Sequence, residues 1–181
     1  MTSADEFAEF ASVMSPRLRR TAFLLCGDWH TAEDLAQTAL TKVFVSWRRI
    51  RRQEAVHAYT NRTLVNAYLA HRRLKRTGEI LTASFPERAA QDPAPETRMM
   101  LLEALATLPP RSRAVVVLRY WADLSVEQVA EIMGCSTGNV KRLSARALAK
   151  LRVTLGAAMA DSGSTGLPPV KDHQPGGSRH G

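Results

Sequence analysis

The residues best suited to chemistry are basic and polar, and they fall in three places. Between Ser125 and Arg152 two short helical patterns meet at Gly134, Cys135 and Ser136, the layout of a helix-turn-helix. Its first helix has apolar Val126, Val129, Ile132 and Met133; its second packs through Val140, Leu143, Ala147, Leu148 and Leu151. That leaves Thr137, Asn139, Lys141, Arg142, Ser144 and Arg146 for solvent or DNA. The N-terminal part of such a helix enters the major groove, where Asn and Arg read base edges. Lys150 and Arg152, further along, suit phosphate. The plainer alternative is an αα-hairpin with a solvated basic face.

The second place is residues 48–76, with nine basic side chains (Arg48, Arg49, Arg51, Arg52, Arg62, Arg72, Arg73, Lys75 and Arg76) and one acidic, Glu54. Tyr59, Asn61, Asn66, Tyr68 and His71 are interleaved. Rings and guanidinium groups together suit single-stranded nucleic acid, in which unstacked bases lie on aromatic faces. The alternative is a structural helix with its tyrosines in the core. The third place is the face formed by Asp34, Gln37, Thr38 and Thr41 at near-helical spacing, which by itself reads as an ordinary solvated face.

Enzyme chemistry has no foothold. There is no glycine-rich phosphate loop, no His-Glu-x-x-His and no nucleophile elbow. The five histidines show no metal spacing with Cys26 or Cys135, so neither a catalytic residue, a metal nor a cofactor is expected. Two cysteines allow one disulfide at most and exclude a four-cysteine zinc site.

Elements must hold these residues in place, and the pattern is helical throughout, with no strand and no repeat. Phe7, Phe10, Val13 and Met14 form one stripe; Pro16 suits the first turn of a following helix, ending at Gly27-Asp28. Ala32, Leu35, Ala36, Ala39, Leu40, Val43, Phe44 and Trp47 keep helical spacing from Thr31, the expected N-cap, to Ile50. After a basic loop, helix resumes from Val56 to about Arg76. Residues 77–98, with Gly78, Pro86, Pro93 and Pro95, read as a linker. Helices then run from Arg98 to Leu108, through Ala114–Trp121 to near Asp123, over Val126–Met133, and from a cap at Ser136 to about Leu155. Ser125 and Gln128 have capping-box spacing. Residues 156–181, rich in Gly, Ser and Pro, read as a disordered tail too poor in apolar residues for a further folded domain.

The expected fold is all-α: two small helical domains, 1–76 and 99–155, joined by a flexible linker. The 181 residues carry 25 Lys and Arg against 17 Asp and Glu, a net charge of +8, and a pI near 10.2. The charge sits in two blocks, 48–76 and 137–155, which suggests two contacts with a polyanion. An acidic N-terminus, no apolar run long enough for a membrane span, and the sparse cysteines point to the cytoplasm.

In this order the motifs resemble a known family. Asp28-x-x-x-Ala32-Glu33-Asp34-Leu35-Ala36-Gln37 with Val43-Phe44-x-x-Trp47 is similar to region 2 of extracytoplasmic-function (ECF) sigma factors. Ala58-Tyr59-x-x-Arg62-x-Leu64-Val65-Asn66 resembles their promoter-melting segment. Leu105-x-x-Leu108-Pro109-x-x-x-Arg113, Leu118-Arg119-Tyr120-x-x-Asp123-Leu124-Ser125 and the helix-turn-helix itself resemble region 4. The match spans about residues 5–155, and its wording is most similar to the actinobacterial SigE-type group. Thr38 replaces a common Glu, and Asn61 lies where Arg is frequent.

The resemblance implies a transcription initiation factor that binds core RNA polymerase. Asp34, Gln37, Thr38 and Thr41 would dock on the clamp coiled coil of the largest subunit. Arg51, Arg52, Tyr59, Asn61, Arg62 and Asn66 would capture the non-template single strand of the −10 element. Thr137, Asn139, Lys141, Arg142, Ser144 and Arg146 would read the −35 element in duplex form. Whether an anti-sigma factor is also a partner stays open. The rival reading is a stand-alone helix-turn-helix regulator, which has no use for the first basic block; a nucleic-acid enzyme is a weaker third.

Overall fold

The computed structural model describes residues 3–50, 53–78 and 95–163. Arg51, Arg52, most of the expected linker and the tail beyond 163 lie outside the described residues. Among the described residues every regular element is a helix.

Residues 3–78 form three long helices: α1 (Ser3–Cys26), α2 (Trp29–Ser46) and α3 (Gln53–Thr77), with a 3-10 turn at Trp47–Arg49. Pro16 lies inside α1 rather than starting a new helix. Pro16 removes one backbone donor, and packing of Met14, Leu18, Ala22 and Leu25 on both sides of it carries the helix through. Gly27 turns the chain with φ +80°, a conformation that favours glycine. The next helix starts earlier than the apolar pattern suggests. Its N-cap is Asp28, whose carboxylate accepts from the Thr31 backbone N–H at 2.8 Å.

Residues 95–163 form α4 (Pro95–Ala106), α5 (Pro110–Val116), a π-helical turn (Val117–Trp121), α6 (Val126–Met133) and α7 (Thr137–Gly163). Pro110 occupies the first turn of α5, where its missing donor costs nothing. The wider turn that follows closes with Ala122 N–H donating to Val117 O at 3.0 Å, and Asp123 then reverses the chain at φ 52°. The α6–α7 corner has both expected caps. Ser125 and Gln128 form a reciprocal capping box at 3.1 and 2.8 Å; Gly134 ends α6 in the left-handed conformation; Ser136 Oγ accepts from Asn139 N–H. The last helix continues past 155 to Gly163.

Both helical halves expected from the sequence are present, but they do not have separate cores. Leu18, Ala22, Leu25, Leu64, Val65 and Tyr68 from the first half share one buried cluster with Ala114, Val115, Val117, Leu118, Val129, Ile132 and Val140 from the second. Contacts run from α1 to α4, α5 and the π turn, and from α3 to α5 and α6. Tyr68 is 1% exposed and therefore a core residue. Phe44 and Trp121, placed by spacing in apolar stripes, are instead each more than half exposed. Phe44 rests on Phe7, ring centroids 4.9 Å apart, at the open end of the first bundle.

Because the box at Ser125 satisfies otherwise orphaned N–H groups at the start of α6, Ser125→Ala is expected to lower stability by about 1 kcal/mol. In a chain of this size that is a fall of about 2–4 °C in Tm by calorimetry; no change would mean the cap is not formed in solution.

Candidate nucleic-acid interface

The α6–α7 corner is rigid because its backbone ends are satisfied locally and its inner faces are apolar. The four α7 residues Val140, Ser144, Ala147 and Leu151 recur at i, i+4, i+7 and i+11 and are all buried. Ser144 therefore belongs to the packed face, not to the exposed one where the sequence pattern placed it; its hydroxyl is buried with no protein partner. Thr137, Lys141, Arg142 and Arg146 are exposed, and Asn139 is half-buried. Arg142 Nη2 donates to Asn139 Oδ1 at 2.7 Å, which holds the two side chains together on the outer face of the first turns. Lys150, expected on phosphate, donates to Thr107 O at 2.6 Å. Arg111 caps the other end of α6 through Met133 O at 3.2 Å.

On α3, Tyr59, Arg62 and Asn66 follow at i, i+3 and i+7 and share a face. Arg62 and Asn66 are exposed. Tyr59 is half-buried, and its hydroxyl shares a 3.1 Å hydrogen bond with Ser46 Oγ, tying α3 to the end of α2. Asn61 turns away from that face. It lines a cleft of about 420 Å³ between the halves, with Arg17 and Arg20 of α1, His57, and Trp121 across from it. Arg48, Arg49, Arg73, Lys75 and Arg76 are exposed on the same half. His71 is held below the ordinary imidazole range, first by partial burial and then by Lys75 and Arg72, so the block draws its charge at pH 7 from arginine and lysine.

The third group sits on α2, opposite buried Leu35, Ala36, Ala39 and Val43. Asp34, Gln37, Thr38 and Thr41 are all exposed. Asp34 lies 3.9 Å from His30 Nε2, and Thr41 Oγ1 donates back to Gln37 O at 2.9 Å. No helix of the described residues is long and apolar enough to cross a membrane.

Arg113 entered the sequence reading only as the end of a region 4 motif, with no structural role assigned to it. It is 5% exposed in the last turn of α5, and its Nε donates to Leu24 O of α1 at 2.7 Å. A signal for its burial was its place directly before the apolar run Ala114–Leu118. Arg98 of α4 lies over the Phe23 ring of α1 at 5.3 Å, a second cationic contact across the halves.

Cys26 lies beside this contact. Burial pushes its thiol up to about 11, and its Sγ–H donates to Asp28 O. Thiolate is the reactive form, so at pH 8 only roughly one molecule in a thousand carries it. Native protein treated with Ellman's reagent at pH 8 is therefore expected to leave Cys26 unmodified, as read by peptide mapping, while unfolding in guanidinium exposes it. Rapid native labelling at Cys26 would contradict this environment.

The description "Sigma-70 region 2" matches residues 12–77 of the chain, and "Sigma-70, region 4" matches residues 98–151. The RNA polymerase sigma-E factor of Streptomyces coelicolor is 35% identical over 159 residues, 87% of this chain and 90% of that protein. The ECF RNA polymerase sigma factor SigE of Mycolicibacterium smegmatis is 33% identical over 147 residues, 75% of this chain and 56% of that protein. Among solved structures, the sigma factor RpoE of Bartonella quintana, in complex with the anti-sigma factor NepR, superposes with a TM-score of 0.71 at 24% identity, covering 83% of this chain and 97% of that one. That last likeness concerns the fold.

Proposed function

The chain belongs to the ECF RNA polymerase sigma factors, and from that premise we propose how its surfaces divide the work of promoter recognition. As a sigma factor it binds core RNA polymerase and brings it to promoter DNA. The α2 face of Asp34, Gln37, Thr38 and Thr41 is the docking surface for the largest-subunit clamp coiled coil. The reading is supported by their joint exposure on one helix face whose reverse side is core.

The α3 face of Tyr59, Arg62 and Asn66, together with Arg51 and Arg52, receives the non-template strand of the −10 element. A base leaving the duplex loses a few kcal/mol of stacking and pairing. Capture on a ring or guanidinium returns about 1–3 kcal/mol per base, so a small number of such contacts can tip the balance toward opening. Asn61, in the cleft, would join this face only after a rearrangement of the halves. The outer face of α7 reads the −35 duplex: Thr137, Asn139, Lys141, Arg142 and Arg146 are available, and Ser144 acts from beneath as a packing residue. The geometry that carries the reading is the capped α6–α7 corner with the Arg142–Asn139 pair on its outer face.

We read the protein as a specificity factor without catalysis of its own, acting in the cytoplasm on core polymerase and promoter DNA. Domain bounds of 1–76, 77–98 for the linker and 99–155 fit this division, with α4 beginning four residues earlier, at Pro95. An anti-sigma factor as a further partner is suggested by the B. quintana complex, whose sigma factor shares this fold.

Run-off transcription by core polymerase with and without the chain tests the whole reading: promoter-dependent transcript should appear only with it. Asp34→Arg should weaken core binding at least tenfold in a pull-down while leaving the far-UV circular dichroism unchanged; undiminished binding would remove α2 from the docking surface. The double change Arg62→Ala with Asn66→Ala should cut transcription from duplex templates and retain core binding, and a pre-opened −10 bubble should restore much of it. Failure of that rescue would assign these residues another role.

A further inference from the structure

The cleft that holds Asn61 differs from the rest of the basic surface. Buried Met14 and Leu18 of α1 give it an apolar base, and no carboxylate lines it. The arginines of α1 divide around it. Arg19 is engaged elsewhere, 3.8 Å from Glu33 and with its guanidinium over the Trp29 ring at 5.2 Å. Arg17 and Arg20 line the cleft, are exposed, and form no ion pair among the described residues. At i and i+3 they are neighbours on the helix surface. Like charges lining a concave, partly apolar wall focus the field there and attract anions.

Trp121 supplies an aromatic wall. In a regular α-helix Leu118 and Trp121, three apart, would share a face. Here the π turn over Val117–Trp121 breaks that relation: Leu118 is fully buried and Trp121 is 55% exposed. Such a widening costs helical regularity and recurs at functional sites. From α3, His57 and Asn61 follow at i and i+4 and bring an imidazole and an amide to the same space. The His57 ring is steadied edge-on against Phe10, centroids 5.7 Å apart.

These groups form a set. An exposed indole stacks a planar base, paired guanidinium groups bind phosphate oxygens bidentately, and amide and imidazole nitrogens hydrogen-bond a base edge or a ribose hydroxyl. A volume of about 420 Å³ is the size of a small-molecule site. We propose that this cleft binds a nucleoside di- or triphosphate, with the base on Trp121 and the polyphosphate between Arg17 and Arg20. A nucleic-acid strand also presents bases, but its charges are spread singly along its length. Two unpaired guanidinium groups side by side on one helix match the concentrated charge of a polyphosphate. This binding needs neither polymerase nor promoter, so it stands apart from the sigma-factor reading.

The test is calorimetric titration of the full chain with ATP, GTP, adenosine and pyrophosphate at about 0.15 M salt, where long-range attraction to a basic protein is screened. ATP or GTP should bind one to one, with adenosine and pyrophosphate each at least tenfold weaker. Trp121→Leu should weaken nucleotide binding by about tenfold, the loss of one stacked base. Arg17→Gln with Arg20→Gln should weaken it at least as much. Lys42→Glu, which lowers the net charge equally from exposed α2, should leave it unchanged, and circular dichroism checks that each variant is folded. No saturable nucleotide binding overturns the proposal, as does an equal loss with Lys42→Glu, which would reduce the effect to net charge. Pyrophosphate binding as tightly as ATP, with Trp121→Leu silent, removes the nucleoside from the assignment and overturns it. A ten-nucleotide single strand that displaces ATP, binds more tightly and loses affinity in the same variants would give the cleft to nucleic acid instead. Run-off transcription is read separately, so none of these failures touches the sigma-factor reading.

Discussion

Arg113 sits where the two halves of the molecule meet, and the placement of one half on the other is built around that contact. Its Nε–H reaches the carbonyl of Leu24 in the last turn of α1, where the helix dipole presents partial negative charge. Around this bond Leu18, Ala22, Leu25, Leu64, Val65 and Tyr68 meet Ala114, Val115, Leu118 and Val129 in one continuous apolar cluster. Burial disfavours the charge on Arg113, and it raises the thiol of Cys26 and the phenol of Tyr68 in the same region. The halves thus attract through apolar area and are weakened by one poorly solvated cation.

The site residues are positioned by a different kind of interaction, local and independent of that interface. The α6–α7 corner depends on Ser125, Gln128, Gly134 and Ser136 satisfying the backbone within a dozen residues. Arg111 adds a cap from α5. Likewise Thr60 and Thr63 bond back to Val56 O and Tyr59 O within α3, and Tyr59 anchors to Ser46. Each of the proposed nucleic-acid faces is therefore built within its own half.

Electrostatics follows the same division. The exposed arginines and lysines of α3, and Lys141, Arg146 and Arg152 of α7, are solvated and face outward, so they can meet phosphate without first losing a hydrogen bond made among the described residues. Arg142, on Asn139 Oδ1, and Lys150, on Thr107 O, already have partners, and Arg113 is the opposite case, a cation out of water.

What depends on neighbours along the chain was legible in the residues alone: the all-helical class, the capping box, the glycine stop at Gly134, the exposed faces of Asp34, Gln37, Thr38 and Thr41, and the outward Lys141, Arg142 and Arg146. Periodicity and caps are local, and a residue's partners for them lie within four or five positions. It misplaced residues whose surroundings come from elsewhere. Ser144 is polar but completes the Val140–Ala147–Leu151 stripe; Phe44 and Trp121 are apolar, yet no second layer covers them; Pro16 sits inside a helix that tertiary packing sustains. Tyr68 could be read as core or as a stacking ring until Arg113 and α5 were seen above it. That the halves share one core came from packing alone, because contacts between positions 24 and 113 leave no period in the chain. They depend on which apolar surfaces remain uncovered after each half has folded.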